Sequence, residues 1–119
     1  MPEQADAGVI GLGIMGSAMA GNLLAAGMAV AGHDPDTGAR QAIVARGGQA
    51  FSNAADVASA APVVLLSLPS PEALDAVVAD LADRPPPGRI LVETSTLAID
   101  DKIRARDARL NSHRRAPAR

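Results

Sequence analysis

The chain has 119 residues, 48% of them hydrophobic, and a net charge of −2. That is enough for one packed domain but not two, and it argues against global disorder. Phe51 is the only aromatic residue and cysteine is absent. The core must therefore be aliphatic, with no stacking platform for nucleic-acid bases, no disulfide framework and no cysteine-ligated metal. The two histidines, His33 and His113, lie too far apart in sequence to suggest a metal site.

Charge is unevenly spread. Residues 1–101 hold four arginines against twelve acids, and residues 102–119 hold one lysine and six arginines against one aspartate. An acidic body with a basic end is expected. The start, "MPEQADAG", has no basic n-region, and no apolar run approaches membrane-spanning length. A soluble, cytoplasmic protein without membrane contact is expected.

In chain order, "AGVIG" (7–11) is a short apolar run ending in glycine and is predicted to be a buried strand. From Met15 a helical period begins, and Met15, Ala18, Met19, Asn22, Leu23 and Ala26 are predicted to share its inner face, with Gly27 as the stop. "MAVAGHD" is a second strand ending at His33 and Asp34. "PDTG" turns the chain, with Asp36 or Thr37 as cap of a helix over 38–46 that stops at Gly47-Gly48. "QAF" is a short strand and "SNAADVASA" a short capped helix. "PVVLLSL" is the strongest strand. It leads into the helix "PSPEALDAVVADLAD", with Pro71 in the first turn and Leu74, Val77, Val78 and Leu81 as the apolar face. "RPPPG" is a rigid turn, "RILVE" a fifth strand, and "LAIDDKIRARDARL" a last helix with a thin apolar face of Ile99, Ile103 and Leu110.

Strands apolar on both faces, alternating with helices, predict a parallel sheet covered on both sides. Right-handed crossovers make this a doubly wound α/β fold of Rossmann type with about five strands.

Gly11, Gly13 and Gly16 form G-x-G-x-x-G. The bare pattern is weak, but here it follows a strand, opens a helix, and is followed by Asp34 at the end of the next strand, near the expected separation. Gly11 permits the tight turn, Gly13 lets a pyrophosphate approach the backbone, and Gly16 lets the helix pack on the sheet. The N–H groups at the helix start, with the helix dipole, offset phosphate charge. Asp34 is placed to accept hydrogen bonds from ribose hydroxyls and to repel a 2′-phosphate. Position 35 is proline, and the next basic residue is Arg40. NAD is therefore expected in preference to NADP. His33 reads as a strand-end residue with no catalytic role.

The stretches "GLGIMGSAMAGNLLAAG", "HDPD", "VVLLSLPSPEAL" and "VETST" resemble the β-hydroxyacid dehydrogenase family, which includes 3-hydroxyisobutyrate dehydrogenase and the NAD-binding domain of 6-phosphogluconate dehydrogenase. The resemblance runs from about residue 8 to 110. Its glycine turn, with Leu12, Ile14 and Met15 between the glycines, is more specific than the bare motif. It implies that Leu68 and Pro69 pass along the cofactor, that Thr96 lies near the nicotinamide ribose, and that Ser95 lies near the substrate carboxylate. Ser95 and Thr96 read equally well as caps of the last helix. Glu93 stands where the family usually has Asp.

The resemblance also implies hydride transfer between nicotinamide and a 3-hydroxyacid, with a lysine as general acid/base. No stretch matches the family's substrate-contacting D-A-P-V-S-G-G strand, the helix bearing the catalytic lysine, or the C-terminal all-helical domain. The only lysine, Lys102, does not match the catalytic position. Residues 1–110 are thus expected to form a cofactor-binding domain, incomplete for catalysis by itself, and 111–119 a basic disordered tail. Two alternatives remain at this point: a complementing chain that supplies the missing half, and a non-catalytic fragment or interaction protein with an arginine-rich contact. Nucleic-acid binding is disfavoured, because a solvated charge run explains the arginines. An open edge at the fifth strand is expected to promote self-association.

Overall fold

A computed structural model describes residues 5–83, 90–94, 103, 106 and 107. Over residues 5–94, among the described residues, five strands alternate with four helices: β1 Ala7–Ile10, α1 Ile14–Ala25, β2 Val30–His33, α2 Thr37–Ala45, β3 Gln49–Ala50, α3 Ala54–Ala60, β4 Val63–Leu66, α4 Pro71–Asp83 and β5 Ile90–Glu93. The sheet order is β3-β2-β1-β4-β5, parallel throughout. β1 is therefore central, and the chain reverses its direction of winding between β1 and β4. In an open α/β sheet that reversal leaves a crevice beyond the strand ends, where ligands bind.

Alternation along β1 divides the core. Ile10 packs with Val57, Val64, Leu74 and Leu81 beneath α3 and α4. Its neighbour Val9 packs with Ala20, Val30 and Ile43 beneath α1 and α2. Burial on both faces requires the continuous apolar strands seen in the sequence. In α4, Leu74, Val78 and Leu81 are buried and Val77 packs against them, as the periodicity predicts. Gly27 and Gly47, each following a helix, adopt positive φ and end α1 and α2 as expected.

Helix α1 departs from its predicted face. The buried residues are Gly16, Ala20 and Gly21, whereas Met15, Ala18, Asn22 and Ala26 are exposed. The helix is rotated because backbone must meet backbone at its start. A Cβ on Gly16 would overlap the Gly11 carbonyl oxygen, and a Cβ on Gly11, whose φ is +97°, would overlap the Ser67 carbonyl oxygen. Small residues must face the sheet where the axes approach this closely, so Ile14 and Met15 turn outward, while Leu23, as predicted, and Leu24 pack half-buried against the core later in the helix.

β5 pairs with β4 through the register Val63↔Ile90 to Leu66↔Glu93. Ile90 is 59% exposed and Val92 39% exposed. Among the described residues no helix is long and apolar enough to cross a membrane. The predicted last helix and basic tail fall almost wholly outside the described residues.

Gly16→Ala should lower unfolding free energy by about 2–3 kcal/mol, the range for overpacking a tight contact. Gly13→Ala, where an added Cβ meets nothing within 4 Å, should cost less than about 1 kcal/mol. Urea denaturation of the two variants measures the difference, and equal losses would contradict the packing argument.

Candidate functional site

The crevice is built from four chain segments that reach the same end of the sheet. β1 ends in the glycine turn, β2 in His33 and Asp34, and β4 in Ser67, Leu68 and Pro69, while α4 starts just beyond. Two clefts, each of about 330 Å³, open there and share Asp34, Leu68 and Pro69.

The first cleft is lined by Gly13, Ile14 and Met15 opposite Ser67 and Pro69. It lies against the start of α1. The other helices have side-chain caps: Asp36 accepts from Ala39 N, Asn53 from Asp56 N, and Ser70 Oγ from Ala73 N. Helix α1 has Gly13 at this position and no side-chain cap. The opening N–H groups of a helix have no partner within it, and they carry the positive end of its dipole. The open space beside Gly13 leaves these donors accessible to an anion. An uncapped helix start beneath a turn without side-chain bulk fits a pyrophosphate.

The turn is held before any ligand arrives. Asp34 Oδ2 accepts the Leu12 N–H at 2.8 Å, and Asp34 Oδ1 accepts the Asp36 N–H at 2.9 Å. Ser17 Oγ donates to the Leu12 carbonyl at 2.7 Å. Both polar backbone groups of Leu12 are therefore fixed, one by the next strand and the other by α1. Arg46, at the end of α2, donates to the Ser17 carbonyl at 3.2 Å and adds a second tie to α1. Each Asp34 oxygen still has lone-pair capacity for a hydroxyl donor.

The second cleft extends from Asp34 along one face of α4, formed by Ala73, Ala76, Val77 and Asp80. Ile10, Ala54 and Leu68 make it largely apolar. Arg40 reaches its edge without lining it. The guanidinium donates to the Asp34 carbonyl at 2.7 Å, the Pro35 carbonyl at 3.1 Å and Thr37 Oγ1 at 3.1 Å.

The profile of the NAD binding domain of 6-phosphogluconate dehydrogenase matches residues 6–115. The chain belongs to this family. A Mycobacterium tuberculosis relative named "Probable 3-hydroxyisobutyrate dehydrogenase" is 33% identical over 92 residues, covering 77% of this chain and 31% of the relative. The solved M. tuberculosis 3-hydroxyisobutyrate dehydrogenase with L-serine superposes with a TM-score of 0.84 at 28% identity, covering 92% of this chain and 38% of that one. A Streptomyces aurantiacus imine reductase gives a TM-score of 0.82 at 30% identity, covering 90% and 38%. The chain thus spans about a third of the length of the curated relative. The fold and the family are those of an NAD-binding domain of the 3-hydroxyacid dehydrogenase type.

Of the residues singled out in the sequence, Gly11, Gly13, Ile14, Met15, Asp34, Leu68 and Pro69 line the two clefts. The Leu12 side chain is instead buried in the core with Val9 and Ile43 and meets the site through its backbone N–H, and Gly16 is buried against the Gly11 carbonyl. Ser95 and Thr96 lie outside the described residues. Ser17, Arg40 and Asp80 were not visible as site residues. Ser17 reads as an ordinary first-turn helix residue. Asp80 could have been found by projecting α4, because Ala73, Ala76 and Asp80 form a second face beside the apolar one.

Gly13→Val tests the open space directly. Its backbone is extended, at φ −72° and ψ −158°, so no positive φ opposes a side chain there. The variant should fold within about 1 kcal/mol of the parent and bind a dinucleotide at least about tenfold more weakly by calorimetry. Unchanged binding would place the phosphates elsewhere.

Proposed function

We propose that residues 1–110 form the NAD-binding domain of an oxidoreductase acting on a 3-hydroxyacid. The observation that carries this reading is the uncapped start of α1 at a glycine turn whose Leu12 N–H is held by Asp34. The first-turn N–H groups of α1 bind the pyrophosphate. Asp34 accepts the hydroxyls of the adenosine ribose, and the adenine enters the apolar cleft along α4. Ile14 and Met15, 96% and 52% exposed, face Leu68 and Pro69 across the other cleft and exclude water beside the nicotinamide half. Thr96 orients the nicotinamide ribose and Ser95 the substrate carboxylate. When bound, NAD supplies the hydride acceptor.

NAD is preferred to NADP. A 2′-phosphate would meet the Asp34 carboxylate, and Arg40 has two backbone carbonyls and Thr37 as its partners. Calorimetry should give NAD binding at least about tenfold tighter than NADP, with Asp34→Ala weakening NAD and narrowing the gap. Equal or tighter NADP binding would overturn the preference, and absence of binding by either would overturn the cofactor reading.

The two clefts contain no lysine, the residue type that the family resemblance gives for exchange of the substrate hydroxyl proton. The 119-residue chain should therefore bind NAD without oxidising 3-hydroxyisobutyrate at enzyme-like rates, turnover requiring residues from the family's helical half. A steady-state absorbance assay for NADH checks this, and turnover at about 1 s⁻¹ or faster would show that the chain is catalytically sufficient.

A further inference from the structure

The cleft along α4 has an unusual polar complement. Its polar side chains are those of His33, Asp34 and Asp80, and the other lining residues are apolar or glycine. Two of the three are carboxylates, which when ionised only accept hydrogen bonds. The third, His33, is tied to the Phe51 carbonyl oxygen, which lies 2.9 Å from Nδ1; a carbonyl cannot donate, so Nδ1 is the donor there. The two carboxylates thus offer acceptors to whatever enters. A ligand must bring donors and an apolar body, and a ligand edge carrying a lone pair there meets repulsion.

Asp80 is separated from Asp34 by the apolar stretch of the cleft. It is held in place, since Oδ2 accepts the Ala55 N–H at 3.1 Å at the start of α3. Among the described residues Oδ1 has no hydrogen-bond partner. We propose that Asp80 reads the exocyclic amino group of the adenine base, making this cleft selective for a 6-aminopurine over a 6-oxopurine. Asp34 takes the ribose hydroxyls at one end, the alanines and Val77 cover the base, and Asp80 accepts from the amine at the other end. A 6-oxopurine places a carbonyl oxygen against the carboxylate, so the same contact becomes repulsive. Asp80 is half-buried, and a carboxylate partly shielded from water discriminates against a group that cannot donate to it. This assignment rests on the proposed NAD reading.

The test compares NAD with nicotinamide hypoxanthine dinucleotide, which differs at the purine 6-position and N1, by calorimetry on the full chain. The parent protein should bind NAD at least about tenfold more tightly. Asp80→Ala should weaken NAD and bring the two affinities within about threefold. Asp80→Asn should do more. Its amide oxygen can keep the Ala55 N–H while its NH₂ faces the base, so the hypoxanthine dinucleotide should gain affinity over its binding to the parent. That gain is not expected from a change that merely loosens α3, and thermal unfolding of both variants checks that they are folded. Equal binding of the two dinucleotides by the parent, or a gap that survives in Asp80→Ala, would overturn the role of Asp80 while leaving the NAD reading intact. Failure of the parent to bind either would overturn both.

Discussion

Everything at the site depends on the close approach of Gly16 to the carbonyl of Gly11. It lays the start of α1 directly on the end of β1, with no side chain between them. That contact rotates the helix so that Ala20 and Gly21 follow Gly16 inward. It also brings Ser17 within reach of the Leu12 carbonyl. Once α1 is seated, Asp34 on the neighbouring strand can take the Leu12 N–H. The turn is thus preorganised by bonds from both sides, and preorganisation lowers the cost of ordering a loop when ligand binds.

The two clefts differ in the kind of hydrogen-bonding group they present. At the start of α1 the available groups are backbone N–H donors, assisted by the helix dipole. Along α4 the cleft presents the carboxylate oxygens of Asp34 and Asp80 as acceptors. A dinucleotide is anionic at its centre and rich in donors at its adenosine end, so its polarity is complementary along the length of the crevice. Asp34 stands where the two clefts meet and lines both: one oxygen takes the Leu12 N–H and the other the Asp36 N–H. Arg40 braces the backbone of Asp34 and Pro35 from behind.

Much of this was legible in the sequence because the fold marks its own punctuation. Gly27 and Gly47 sit where helices must stop, Asp36 and Asn53 cap where the chain re-enters helix, and the apolar strands need cover on both faces. The glycine turn and Asp34 were readable because their separation is set by a strand, a helix and a second strand. The inner face of α1 was not. A periodicity argument assigns the largest apolar residues to the core, yet here a backbone contact demands the smallest ones, and Met15 is left at the crevice. Ser17 and Asp80 escaped notice for a related reason. Asp80 acts through the Ala55 N–H, far from it in sequence, and Ser17 through the carbonyl of Leu12 on the other side of the glycine turn, and both pairings exist only after the chain has folded.

The central claim is that the uncapped N-terminus of α1 receives the pyrophosphate. Titration of ¹⁵N-labelled protein with NAD, followed by amide chemical shifts, tests it most directly. The account predicts the largest shifts at the amides of Ile14, Met15 and Gly16, with a smaller response at Leu12, whose N–H already has a partner in Asp34. Saturable binding that leaves those three amides unmoved, with its shifts concentrated on α2 or β5 instead, would contradict it.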